Sequence, residues 1–255
     1  MANWIAAQAD ATTTMKLSRK HRTSLSLTCT LLFASFASSQ TLDVFAHVDV
    51  IRQQNKTHTS HISPENVVVW LTPTQKIETP LNARPLTGYK LVQKDKQFAP
   101  HILVVPTGSS VDFPNLDPFF HNVFSLFNGK RFDLGLYEAH THRAVQFDRD
   151  GVSYIFCNIH PEMGAVVISL STPYYGVSTH DGSVVIHNVP PGSYKLNIWA
   201  ENVENDRLNA LSRTVDITPQ TNQLGTLQLQ TSGDIMTHHQ NKFGESYPPL
   251  PKDTY

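Results

Sequence analysis

The stretch Cys157-Asn158-Ile159-His160-Pro161-Glu162-Met163 puts a thiol, an imidazole and a thioether into one short segment, and a second imidazole stands upstream in Phe120-His121-Asn122-Val123. Thiolate and thioether are soft donors that favour copper, and imidazole suits either copper oxidation state. Two His and one Cys in a plane, with a weak axial Met, are a known copper donor set. Such residues are scarce elsewhere: the chain has two cysteines, Cys29 and Cys157, and four methionines. A candidate metal site at His121, Cys157, His160 and Met163 is therefore the first reading. To converge, the Cys should end one strand, the next loop should carry His and Met, and the other His should come from a neighbouring strand.

Working outward, short β-branched and aromatic runs alternate with Gly, Pro, Asn and Asp, an all-β pattern. Expected strands are Val67–Leu71, His101–Val105, Ser110–Phe113, Asn122–Phe127, Ala144–Phe147, Val152–Cys157 and Ala165–Leu170. A second group is Ser183–His187, Tyr194–Trp199, Thr214–Ile217 and Leu224–Leu229. Polar stretches at Gln53–Glu65 and Gln75–Leu86 read as loops, and no amphipathic helix stands out. Two antiparallel β-sandwiches in series fit this order, with a boundary in Ser171-Thr172-Pro173-Tyr174-Tyr175. The second, of about sixty residues, is small enough to need support from the first. Within Val152–Cys157, Ser153, Ile155 and Cys157 share one face while Val152, Tyr154 and Phe156 share the other. Apolar residues on both faces predict that the outer face is covered too, with the second domain as the cover.

The N-terminal end reads differently. Lys16, Arg19, Lys20 and Arg22 precede an apolar run from Leu25 to Ala37 and then Ser38-Ser39-Gln40. That is the layout of a secretory signal peptide, with the translation start expected at Met15 and cleavage after Ser39. Removing residues 1–39 takes away four basic residues and one acidic one, turning a formal charge of −1 into −4. No basic face for nucleic acid is expected, nor a membrane span, since the apolar run is short. With Cys157 then the only thiol, no internal disulfide can form in an oxidising compartment, and a metal would occupy it. The expected layout is a leader at 1–39, a site-bearing domain with an N-terminal extension at 40–172, a small sandwich at 173–231, and a disordered tail at 232–255.

The paired motifs resemble those of cupredoxins of the plastocyanin and amicyanin type. Gly108, Val111, Phe113, Asn115, His121, Asn122 and Val123 match the first pattern, and Gly151, Phe156, Cys157, His160, Pro161 and Met163 match the second. The resemblance spans roughly residues 98 to 170, and the short ligand loop is similar to the amicyanin form. It implies a Greek-key sandwich and one type 1 blue copper per chain, with His121, Cys157 and His160 equatorial and Met163 axial. Asn122 would hydrogen-bond across the site to steady the Cys loop. Thr179 to Leu196, with turns at Asp181-Gly182 and Pro190-Pro191-Gly192, resembles the carboxypeptidase-regulatory-like, transthyretin-type sandwich, which implies a support or docking module. The two together resemble bacterial exported proteins described as plastocyanin-like or methylamine-utilisation proteins.

The expected function is that of an exported, periplasmic, monomeric electron carrier, not an enzyme, serving a redox protein donor and acceptor. Phe119, Phe120 and Pro161 are the expected apolar docking rim around His160. The alternative is a copper-binding or copper-handling module, or a structural one, without redox traffic. Of the thirteen histidines, His101 is expected as a core or edge residue with a place near the metal as a further option, and His140 and His142 as a solvated pair rather than a second site.

Overall fold

The computed structural model describes residues 40–55, 58–75, 86–126, 129–231 and 240–247. The expected leader at 1–39, with Cys29, lies outside the described residues, as do most of the expected 75–86 loop and the rest of the tail. The strands are β1 (Leu42–Asn55), β2 (His58–Ile62), β3 (Val68–Pro73), β4 (Tyr89–Lys90), β5 (Val92–Lys94), β6 (Gln97–Ala99), β7 (Ile102–Pro106), β8 (Ser109–Pro114) and β9 (His121–Ser125). They continue with β10 (Phe132–Tyr137), β11 (His142–Phe147), β12 (Gly151–Phe156), β13 (Gly164–Leu170), β14 (Tyr175–Val177), β15 (Ser183–Val189) and β16 (Gly192–Trp199). A short helix α1 (Asn205–Leu211) precedes β17 (Arg213–Ile217) and β18 (Gln223–Thr231).

The protein is all-β, as its alternating runs require. The site-bearing sandwich sets the sheet β10-β9-β12-β13-β7 against β11-β8-β4, with β5-β6 as a separate hairpin. Its core is aromatic and aliphatic, with Val111, Phe113, Val123, Phe147, Ile155 and Val167 all fully buried. The other sandwich sets β15-β1-β18, with β2 alongside β1, against β14-β3-β16-β17.

This pairing corrects the expected extension. Strands β1 and β3, placed by sequence in the 40–172 domain, pair with strands that lie beyond residue 172: β1 runs parallel to β18, and β3 antiparallel to β14 and β16. The physical reason is an unmet edge: the strands after residue 173 need two further apolar strands to close their sheets, and Val44, Val48, Val68 and Leu71, all fully buried, supply them. The chain crosses between sandwiches at 171–174, where Thr172 Oγ1 donates to the Leu71 carbonyl at 2.8 Å. Residues 58–62, read as loop, form β2, and β10 and α1 were not foreseen. Helix α1 spans 7 residues and buries only Leu208, too little for a helical period to show.

The two sandwiches share a core. Val104, Val166, Ile168 and Leu170 on β7 and β13 belong to one apolar cluster with Val44, Val68, Leu196, Trp199 and Leu227 of the other sandwich. Val152 and Tyr154, on the outer face of β12, pack on the same cluster, and the Tyr154 and Trp199 ring centroids lie 6.4 Å apart. The outer face of the cysteine strand is thus covered, as its two-sided apolar pattern requires. At the expected Asp181-Gly182 turn, Gly182 sits at φ +82° and a Cβ there would come 2.3 Å from the Val48 carbonyl oxygen.

Candidate metal centre

Strand β12 ends at Phe156, so Cys157 is the first residue beyond the sheet. The loop that follows closes on itself: the Cys157 N–H donates to the Met163 carbonyl at 3.3 Å and the Met163 N–H to the His160 carbonyl at 3.1 Å. His121 opens β9, the neighbour of β12, with Phe124 opposite Phe156. These elements bring three donor atoms together. Cys157 Sγ lies 3.7 Å from His121 Nδ1 and 3.6 Å from His160 Nδ1, and the two Nδ1 atoms are 3.2 Å apart. Among the described residues, this is the one group of three or more His, Cys, Asp or Glu donors able to share a metal. Exposure is 0% for His121, Cys157 and Met163 and 7% for His160. Met163 packs in the same apolar cluster as Cys157.

The donor triangle fits a metal ion. The circle through its corners (product of the sides over four times the area) has a radius of about 2.0 Å, close to ordinary metal–imidazole bonds of about 2.0 Å and metal–thiolate bonds of about 2.3 Å, as known for zinc. Three soft-to-borderline donors, with a buried thioether in the same loop, match copper better than a hard cation.

A residue that sequence reading missed fixes the chemistry of His121. Asp117, 3% exposed, accepts from His121 Nε2 at 2.7 Å, from the Asp95 N–H at 2.6 Å and from the Lys96 N–H at 3.0 Å. Burial pushes its carboxyl up, but the Lys96 N–H, His121 and the Asp95 N–H outweigh it and hold Asp117 below the usual carboxylate range. An ionised carboxylate only accepts, so His121 carries its proton on Nε2 and aims the Nδ1 lone pair at the other donors. Asp117 is held by its own loop: its N–H donates to Asn115 Oδ1 at 3.0 Å, and Asn115 Nδ2 to the Phe119 carbonyl at 2.8 Å. The one available signal was that Asp117 is the only acidic residue between Phe113 and His121.

Burial raises the Cys157 thiol above its ordinary value, against the pull of the N–H groups of Asn122, Ile159 and His160. Burial lowers His160, so its ring is neutral and ready to ligate at neutral pH.

Asn122 departs from expectation. Its side chain donates to Asp133 Oδ1 at 2.7 Å, on β10, and its Oδ1 is buried without a partner. What reaches the cysteine is the Asn122 backbone N–H, because β9 turns that side chain toward its pairing strand, where Asn122 faces Leu136. Phe119 is half-buried and packs on both imidazoles, with centroids 5.2 Å from His121 and 5.7 Å from His160; its place is against the ligands more than on a rim. Phe120 is 52% exposed and Pro161 half-buried. Leu116 and Ile159, neither foreseen, are also exposed. His101 lies outside the cluster, bonded to the Gly164 carbonyl at 3.2 Å and Glu201 at 2.9 Å. His140 and His142 are exposed and join no group of three donors.

Fold and site together define an all-β protein with a buried His–Cys–His donor cluster. No family model and no curated protein matches the chain. Among solved structures it is similar to a purple cupredoxin from Nitrosopumilus maritimus, at 22% identity and TM-score 0.30 over 32% of this chain and 100% of that one. It is also similar to a copper-containing nitrite reductase from Thermus scotoductus SA-01, at 20% identity and TM-score 0.31 over 32% of this chain and 22% of that one. A reduced Cu(I) form of an amicyanin variant aligns at 18% identity and TM-score 0.31, over 32% of this chain and 81% of that one.

Proposed function

We propose that this chain is an exported blue-copper protein that carries single electrons between redox protein partners, as a monomer and without catalysing a reaction of its own. The observation that carries this reading is the buried triangle of Cys157 Sγ, His121 Nδ1 and His160 Nδ1. Copper held there would supply reversible one-electron chemistry. His121, Cys157 and His160 would hold it, with Met163 available as a further donor from the same loop. Asp117 keeps His121 in the ligating tautomer, and Phe119 braces both rings, so little can move when the charge of the site changes. The apolar shell excludes water. His160 alone of the four keeps some exposure, which makes its edge the exit toward a partner. Phe120, Leu116 and Ile159 are exposed apolar residues within five positions of a ligand in sequence, the kind of surface that small, weak redox encounters use.

A handling protein that exchanges its metal would need open donors, whereas His121, Cys157 and Met163 are fully buried. The other sandwich is read as support, since it covers the outer face of β12 and β13. No helix among the described residues is long and apolar enough to cross a membrane.

The test is the visible and EPR spectrum of the protein with one equivalent of Cu(II). An intense thiolate-to-copper band, lost in Cys157→Ala, supports the reading. A pale solution with ordinary tetragonal copper parameters would overturn it.

A further inference from the structure

The segment Gln240–Tyr247, in the stretch expected to be a disordered tail, is folded back on the ligand loop. Its Tyr247 hydroxyl donates to the carbonyl of Cys157 itself at 2.8 Å. The Lys242 N–H donates to the side-chain oxygen of Asn158, the residue after the cysteine, at 2.9 Å. The Lys242 ammonium pairs with Asp133 at 2.7 Å, and the other oxygen of that carboxylate accepts from Asn122, the residue after His121. The segment is therefore tied to both halves of the donor cluster.

It is also shaped in advance for this. Asn241 Oδ1 accepts the N–H groups of Phe243 at 2.9 Å and Glu245 at 3.0 Å, the Asn241 N–H donates to the Glu245 carbonyl, and the Gly244 N–H to the Asn241 carbonyl. Gly244 takes φ +78°, a left-handed turn position that suits glycine. A segment that fixes its own turn loses less conformational entropy on docking, so its outward bonds act on the loop and are not spent on ordering the segment.

We propose that residues 240–247 are a built-in clasp on the ligand loop, which holds the loop shut over Cys157 and limits access to its sulfur. The clasp gains its purpose from the copper reading above, but its action on the loop exists without metal. Access to Cys157, which is fully buried, requires the loop to open, and each hydrogen bond to the loop makes opening rarer by about fivefold. Losing the Tyr247 bond alone should speed access by about that factor, and losing both loop bonds by roughly thirtyfold.

The experiment uses metal-free full-length protein carrying Cys29→Ser, so that Cys157 is the only thiol, and follows its reaction with a chromogenic disulfide reagent under native conditions. Two variants are compared with it: Tyr247→Phe, which removes one hydroxyl, and a chain ending at Thr231. The expected result is a reaction faster by about fivefold in Tyr247→Phe and by more in the shortened chain, with a rate that stays nearly flat as urea is raised below the unfolding transition. An unchanged rate in Tyr247→Phe would overturn the clasp whatever the shortened chain does. So would a rate in Tyr247→Phe that climbs with urea as steeply as global unfolding does, because the thiol is then reached by unfolding of the whole chain. Since no copper is present, a failed blue spectrum and a failed clasp are separate results.

Discussion

Replacing Asp117 by Asn keeps the shape of the side chain and removes its charge. The carboxylate accepts three hydrogen bonds, one on Oδ1 from Asp95 and two on Oδ2 from Lys96 and His121. An amide has one acceptor oxygen, so even its better orientation leaves the part-buried Asp95 N–H facing an NH2 group. That costs about 1 kcal/mol of stability in the metal-free protein. The metal feels a second loss: His121 no longer has an anion to hold its proton on Nε2, and removal of such an outer partner weakens metal binding by about 10- to 100-fold. Loss of a negative charge beside the site also raises its reduction potential, because the oxidised ion depended on it more. Copper affinity is read by competition with a chelator of known strength, and stability by urea unfolding of the metal-free form. If stability falls as expected while affinity stays within about twofold, Asp117 is only a clasp on the Asp95–Lys96 turn, and the reasoning about His121 is refuted.

Ile168, 1% exposed in the core shared by the two sandwiches, should cost about 2–5 kcal/mol when cut to Ala; calorimetry should show one shifted transition, and two separated transitions would contradict a shared core. His101 is raised above its ordinary 6.5 chiefly by the hydrogen bond to Glu201. Its contribution is therefore full below about pH 6.5 and is lost as pH rises through the folded-state value; the unfolding midpoint should fall over that window, and His101→Ala should flatten the fall. Copper loading should release about one proton, since Cys157 is held above its ordinary value by burial and must ionise to ligate; a pH-stat titration showing no release would argue against thiolate ligation. Phe120→Ser should slow reduction by a partner and leave the copper spectrum unchanged; a changed spectrum with unchanged partner kinetics would remove Phe120 from the docking surface.

The parts legible in sequence were those written in local pattern. Cys157 and Met163 could be named because sulfur donors are rare in this chain, and His160 and His121 because they stand in the same loop and in the paired upstream motif. The two-sided apolar pattern of Val152–Phe156 announced a covered outer face. What escaped was written in distant partners. Nothing local tells that Val68–Pro73 lies beside Gly192–Trp199, since both strands are equally apolar wherever they pair. Asp117 looked like an ordinary loop acid, and its role depends on a hairpin turn some twenty residues upstream, as the Asp95 contact shows. Asn122 was assigned by resemblance, but the nearby Asp133 captures its side chain. The Gln240–Tyr247 segment looked disordered because it is polar and Pro-flanked, and its order comes from bonds to residues more than eighty positions away.

The parallel pairing of β1 with β18, Phe45 beside Gln223, has a consequence for how the chain is made. Strand β1 has no complete sheet to join until β18, about 170 residues later, has been synthesised. Contacts this distant in sequence close slowly. The metal-site sandwich is therefore finished first and waits with the outer face of β7 and β13 bare. During that interval the chain shows its stickiest surface, which makes late synthesis the stage at which it most depends on being kept apart from its neighbours.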